Sequence, residues 1–192
     1  EYKVGNKGKI QYTYNLNNNS LINIYKFNKC INIREMINFI LNNNAEAYYN
    51  FKSISTDKEL YDIDVRHDGE NSISDIKNNC VNIDNGKVSI QVSSYVENGI
   101  KGCTINQNNR IINLTNNKCE IRPNLYIKEY DVEANHSALI GGFNSDEMFY
   151  LLSRGISEEE ANKLLINGFL LSNIDSPKMI KNISKYIKEY WR

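Results

Sequence analysis

Apolar and polar residues alternate along the middle of the chain, from about residue 48 to residue 127. The alternation comes as short runs, for example YDIDV at 61–65 and VSIQV at 88–92. Turn dipeptides such as Asp68-Gly69 and Asn85-Gly86 separate the runs. Alternation with period two places one face of a strand in a core. The pattern therefore predicts many short β-strands, each about three to five residues long.

Two architectures accommodate such strands. One is an antiparallel sandwich or barrel, and the other is a β-helix, in which strands stack coil upon coil. Asparagine-rich turns suit the corners of a β-helix, because Asn tolerates left-handed backbone angles. The strand pattern by itself leaves the two architectures open.

The pattern changes after Gly142, where apolar residues recur at helical spacing. Asn144 and Ser157 each precede a Glu by three residues and predict helix starts with capping boxes. Ser176-Pro177 predicts a third start, and Gly155 predicts the end of the first helix. The predicted apolar stripe of the second helix is Ala161, Leu164, Leu165, Gly168 and Phe169, and that of the third is Met179, Ile180, Ile183, Ile187 and Tyr190.

The first 45 residues give a weaker signal. Met36, Ile37, Ile40 and Leu41 recur at helical spacing, so we predict a short helix over Arg34–Leu41. Three segments follow from these patterns: 1–45, which the sequence does not place; a β core over 46–142; and a helical segment over 143–192. We expect a mainly β protein with C-terminal helices.

Composition and charge exclude some classes of partner. The chain has 192 residues, with 23 Lys and Arg against 23 Asp and Glu, so its formal net charge is zero. Nucleic acid and an anionic membrane surface are therefore not expected as partners. We find no run of about 18 apolar residues and no apolar signal-peptide core, and we expect a cytoplasmic protein. The 32 Asn residues are read as compositional bias.

The four cysteines are Cys30, Cys80, Cys103 and Cys119, and no two have the spacing of a usual zinc or redox motif. Free cysteines are often small buried apolar residues, which is the simplest interpretation here. The alternative is that one or two of them meet a metal or cluster in the folded chain.

Residues 131–170 carry the most specific pattern, DVEANHSALIGGFNSDEMFYLLSRGISEEEANKLLINGFL. This segment resembles the C-terminal part of the SufB/SufD family of iron–sulfur cluster assembly scaffolds. Upstream pieces are also similar to that family: DVRHDG at 64–69, QNNRII at 107–112 and RPNLYI at 122–127. The resemblance covers roughly residues 62–170.

The resemblance implies a right-handed parallel β-helix core followed by a small helical segment. It also implies a scaffold that pairs with a SufB/SufD-type chain or with itself, and that docks a SufC-type ABC ATPase through its C-terminal helices. The chain has no Gly-rich phosphate-binding motif, so the ATPase activity would belong to the partner and the chain would not be an enzyme.

The resemblance makes His136 the leading candidate ligand for a nascent cluster, because a neutral imidazole can ligate iron. Cys103 and Cys119 are weaker candidates, with buried packing as the alternative. Ser137 follows His136 and Asn108 lies near the family's cysteine position, and both departures make the chain SufD-like. We expect no tightly bound cofactor and leave open a transient iron–sulfur cluster at an interface.

The same resemblance supplies candidate partner-binding residues in the helical segment: Phe149, Tyr150, Arg154, Leu165 and Phe169. For Arg154, the alternative is a structural role at a helix end.

Two further functions stay open. A parallel β-helix carbohydrate-active enzyme would need paired carboxylates, and Asp62 and Asp64 share one face of a predicted strand. A degenerate SufD-like module would bind a partner without a role in cluster assembly.

Overall fold

The computed structural model describes residues 8–29 and 32–190, and ten strands and three helices lie within them. The elements, in chain order, are β1 (Gly8–Leu16), β2 (Leu21–Asn28), β3 (Ile33–Leu41), β4 (Glu46–Ser55), β5 (Lys58–His67), β6 (Ile73–Asn82), β7 (Lys87–Val96), β8 (Cys103–Asn113), β9 (Glu120–Ile127), β10 (Val132–Gly141), α1 (Ser145–Ser153), α2 (Glu158–Leu171) and α3 (Pro177–Tyr190).

Successive strands alternate between two parallel sheets. The first sheet has the order β1-β3-β5-β7-β9, and the second has the order β10-β8-β6-β4-β2. Each strand pairs with the strand two positions along the chain, and every pairing is parallel. The chain thus winds into a parallel β-helix of five coils. The expected fold is confirmed, and the antiparallel alternative is wrong.

The described residues of segment 1–45, which the sequence left unplaced, contribute strands β1, β2 and β3 to this β-helix. Residues 34–41, predicted as a short helix, belong to β3, which pairs on both sides with β1 and β5. That prediction is wrong because Ile37, Phe39 and Leu41 point inward at period two. The outward Met36 and Ile40 produced the helical spacing by accident.

The strands are 8 to 11 residues long, which is longer than the predicted three to five. The predicted runs are pieces of these strands, because many inward positions are polar and interrupt the apolar alternation. Asn78, Ser94, Gln107 and Asn109 are examples of buried polar residues inside the coils. Their side chains bond one another, as in the pairs Asn78–Asn109 at 2.7 Å and Gln107–Ser94 at 2.9 Å.

The three helices start where the sequence predicts. Ser157 accepts a hydrogen bond from Glu160 N, and Pro177 is the first residue of α3. Asn144 caps α1, but it accepts from Asp146 N. Gly155 follows α1 with φ +80°, a left-handed conformation that favours glycine.

Helices α2 and α3 cover part of the outer face of the second sheet. Phe27, Ile54, Val81 and Ile112 on four strands of that sheet form one apolar cluster with the two helices. The helical members of this cluster that are buried are Ile166, Leu170, Met179, Ile183 and Ile187. The predicted stripe of α3 is therefore confirmed in its buried positions, whereas in α2 Leu164 is exposed and Ile166 and Leu170 are buried. Among the described residues, no helix is both long and apolar enough to cross a membrane.

Candidate functional site

The last coil of the β-helix is open. Strands β9 and β10 each end their sheet, so one backbone edge of each has no neighbouring strand among residues 8–29 and 32–190. Unpaired strand edges can pair with another chain. Large apolar side chains are exposed on this coil, namely Tyr126, Tyr130, Leu139 and Ile140. The open coil thus combines free backbone groups with apolar surface.

His136 lies in the middle of β10, on this open coil. Val132 and Ala134 precede it at alternate positions and pack against the interior, so His136 is on the inward side of the strand. Its register partner on β8, Gln107, is buried, whereas His136 is exposed because no further coil among the described residues covers it. A ligand at the end of the β-helix could therefore reach the imidazole.

Cys103 does not join His136. It begins β8 and is buried, with its Sγ 3.4 Å from Ser72 Oγ and 3.6 Å from Gly69 O. Cys103 pairs with Val132, four residues before His136, so the two Cα positions are about 13 Å apart along the strands.

Cys119 lies elsewhere again. It precedes β9, is half-buried and packs against the large core cluster, whereas Cys103 belongs to a different cluster. Burial raises the pKa of the Cys119 thiol, which disfavours the thiolate that binds metals. No group of three His, Cys, Asp or Glu within the described ranges could hold a metal ion. Cys30 is outside those ranges.

His67 is buried and lies in a hydrogen-bond network with two serines of the β5–β6 turn and β6. His67 Nδ1 lies 2.8 Å from Ser72 Oγ, and Nε2 lies 3.0 Å from Ser74 Oγ. Ser72 Oγ already donates to Gly69 O, so it accepts from Nδ1–H, and Nε2 accepts from Ser74. Burial lowers the pKa of His67 to about 4, which keeps this ring neutral at pH 7. The network holds the β5–β6 turn, and its only sequence signal was the presence of Ser72 and Ser74 five and seven residues after His67.

The candidate partner-binding residues fall into two groups. Phe149 and Tyr150 on α1 are exposed, as is Leu152, and α1 has no buried residue. Arg154 caps α1 and stacks its guanidinium 5.2 Å from the centre of the Tyr150 ring. These side chains form one exposed apolar patch with a cation, the α1 patch: Phe149, Tyr150, Leu152 and Arg154.

Leu165 and Phe169 lie apart from this patch. Both are partly buried and line a groove between α2 and the outer face of the second sheet. The structure therefore places the five candidate partner-binding residues on two different surfaces.

The carboxylates required by a carbohydrate-active enzyme are engaged. Asp62 and Asp64 do share the outer face of β5. However, Asp62 Oδ2 pairs with Arg34 Nη2 at 3.1 Å, and Asp64 is hydrogen-bonded to Ser93. Asp64 lines a groove on this face, but Asp62 and Asp64 do not form a free acid–base pair there, because both carboxylates have partners.

Comparison with protein families gives a match over residues 11–169 to the model of the SUF system FeS cluster assembly SufBD core domain. The match covers the β-helix, α1 and most of α2. This chain belongs to the SufBD core family.

Curated relatives agree with this assignment. The iron–sulfur cluster assembly protein SufD of Bacillus subtilis is 38% identical over 76 residues, which are 39% of this SufBD core chain and 17% of the relative. A SufBD family protein of Mycobacterium leprae is 41% identical over 76 residues, 37% of this chain and 19% of the relative. A SufBD family protein of Pyrococcus horikoshii is 42% identical over 53 residues, 28% of this chain and 12% of the relative. The matched parts thus span less than a fifth of these relatives.

Proposed function

We propose that this SufBD core chain is a non-enzymatic scaffold in iron–sulfur cluster assembly. Family membership supports the process, and the open last coil is the observation that carries the molecular role. In this proposal, β9 and β10 pair with a SufB/SufD-type chain or with a second copy, and the α1 patch docks a SufC-type ATPase in the cytoplasm.

The open coil suits pairing for two reasons. Free backbone N–H and C=O groups on β9 and β10 can form a ladder with a partner strand. Leu139 and Ile140, which are exposed, would be buried in the same contact. Burial would stabilise the contact by roughly 25 cal/mol for each Å² of apolar surface removed from water. Pairing would thus give the free backbone groups hydrogen-bond partners and bury the exposed apolar side chains in one contact.

Pairing would also give His136 ligand neighbours that residues 8–29 and 32–190 of its own chain do not supply. One imidazole and no nearby thiolate cannot hold an iron–sulfur cluster. Ligands from the partner would complete the set, so the cluster would be a transient cargo of the interface. Cys103 and Cys119 stay weaker candidates in this proposal, because neither shares the exposed end with His136.

The α1 patch suits a separate contact with the ATPase. Phe149 is 73% exposed. A partner that buried this ring would gain binding energy, because aromatic side chains contribute most when a contact covers them. The patch lies on a helix rather than on the strand edge, so both contacts can exist in one assembly.

Crossed substitutions test both contacts in co-purification with the same organism's SufC-type ATPase and SufB-type chain. Phe149→Asp should abolish recovery of the ATPase and leave the SufB-type chain bound, because only the α1 patch gains a charge. Leu139→Asp should do the reverse. Thermal melts of both variants serve as the folding control, since both side chains are exposed.

Failure of the proposal would be clear in this design. Loss of neither partner, or equal loss of both partners in each folded variant, would contradict separate surfaces. Iron loading of the assembled complex with His136→Ala, against Ser137→Ala as the matched neighbour, then tests the ligand. Equal loading in both variants would exclude His136 as the ligand.

A further inference from the structure

The groove between α2 and the second sheet has a cationic floor that the proposed scaffold role does not use. Its volume is about 430 Å³, within the range of small-molecule sites. Lys77, Asn79, Asn108 and Arg110 line one side, from two adjacent strands, β6 and β8. Phe143, Leu164, Leu165 and Phe169 line the helical side.

Arg110 is the central cation of the floor. Its guanidinium lies 5.3 Å from the centre of the Phe169 ring, and its Nε is buried without a hydrogen-bond partner. Within the part of the chain that the structure describes, no carboxylate forms an ion pair with Arg110. Guanidinium groups without a carboxylate partner are suited to phosphate, which they can contact with two N–H groups.

A second cation lies behind the floor. Lys52 is in register with Asn79, which is in register with Arg110, so the three share one row across β4, β6 and β8. Lys52 is only 1% exposed, and its Nζ lies 3.3 Å from the Asn79 side-chain amide in the orientation that satisfies both groups. Burial lowers the pKa of Lys52 to about 8, because the charged ammonium loses its hydration there.

Negative charge also borders the groove and limits where an anion can lie. Lys77 pairs with Asp75 at 2.6 Å, and Glu147 is at the exposed rim. The carbonyl end of α2 adds partial negative charge beside Asn79, since Phe169 O lies about 3.5 Å from the end of that side chain. The open place for an anion is therefore beside Arg110, Lys77 and Asn108.

We infer that this groove binds a small organic phosphate, with the phosphate beside Arg110, Lys77 and Asn108 and the organic group against Leu165 and Phe169. The floor supplies N–H donors from three side chains, and the helical wall supplies apolar contact. Neither the strand-edge contact nor the α1 patch takes part, so the inference does not depend on the proposed function.

Calorimetric titration of the full chain with phenyl phosphate and with inorganic phosphate tests the inference. Phenyl phosphate should bind saturably and more tightly than inorganic phosphate, because only the former contacts the apolar wall. Arg110→Gln should weaken the binding of phenyl phosphate by about tenfold, as expected when a charged hydrogen-bond donor is lost. Arg122→Gln is the matched control on the outer face of the first sheet, and it should leave the affinity unchanged.

A second variant guards against misfolding of Arg110→Gln. Asn108 is exposed, so Asn108→Asp should keep the fold and repel the phosphate. No saturable binding at millimolar phenyl phosphate would overturn the inference, as would equal weakening by Arg110→Gln and Arg122→Gln. Equal affinity for the two probes would overturn the assignment of an organic group to the wall.

Discussion

Asparagine occupies equivalent corners of successive coils. Asn19, Asn44 and Asn71 all have φ between 55° and 59°, in the left-handed region. Their backbone N–H groups bond the next coil in the same way, as in Asn19 N to Asn43 O and Asn44 N to Glu70 O. Part of the asparagine enrichment therefore has a structural cause, which the sequence interpretation of compositional bias missed.

The left-handed corner predicts unequal effects of two small substitutions at Asn44. Asn44→Ala should lower the free energy of unfolding by about 1–2 kcal/mol, because alanine lacks the short polar side chain that lets asparagine tolerate the left-handed region. It also loses the 2.9 Å bond to Asn19 Oδ1. Asn44→Gly loses the same bond without the backbone penalty and should cost less. Urea unfolding measures both, and equal costs would contradict backbone strain as the reason.

Glu59 predicts a pH dependence of stability. It is buried, and Ser53 Oγ and Tyr61 OH each donate to its Oε2 at 2.6 Å. Burial raises the pKa of this carboxyl from 4.5 to about 8. Between those values the unfolded chain is ionised while the folded chain keeps the proton, so this group lowers stability as pH rises from 4.5 to 8.

Glu59→Gln should remove this contribution. The difference in unfolding free energy between the variant and the unmodified chain should shift in favour of the variant by a few kcal/mol as the pH rises from 4.5 to 8. The exposed Glu70→Gln is the control and should show no such trend. A constant difference for Glu59→Gln would contradict a protonated carboxyl at pH 7.

At the scale of the element, α3 is fixed by a few buried side chains. Ile183 is fully buried in the cluster that joins α3 to four strands of the second sheet. Ile183→Ala should cost about 2–4 kcal/mol, since it leaves a cavity in a packed cluster. The exposed Lys181→Ala on the same helix should cost little. Similar costs in chemical unfolding would show that α3 does not pack as described.

The elements also show where sequence reasoning works. Capping residues and Pro177 located the helix starts, because these signals are local. The pattern could not separate β3 from a helix, because the pairing of β3 with β1 and β5 involves residues about 25 positions away. Buried polar positions such as Asn78 and Asn109 shortened the predicted strands for the same reason: their partners come from another coil.

At the scale of the molecule, each coil contacts mainly the coils beside it, as in other solenoids. Among the described residues, strands β3–β8 have neighbours on both sides, whereas β1 and β2 at one end and β9 and β10 at the other have one. Amide exchange should therefore be slower in the middle strands β4–β7 than in β9 and β10. Adding a partner should slow exchange in residues 120–141 and leave β4 unchanged. Uniform exchange along the coils would contradict the open end.

The candidate site was predictable only in part at this scale. His136 was found through a resemblance rather than through its chemistry, and its exposure depends on the absence of a sixth coil among the described residues. Its separation from Cys103 follows from strand register, which the spacing in the chain does not reveal.

The cluster of α2 and α3 with Phe27, Ile54, Val81 and Ile112 has a mechanical consequence. It joins the helical segment to four adjacent strands of the second sheet, β2, β4, β6 and β8. A force applied to the helices would therefore act on those coils together, in shear, and would not separate them one at a time. The strand that carries His136 lies outside this fastening. A force transmitted through the helices would therefore move a stiff body, and deformation would concentrate in the last coil.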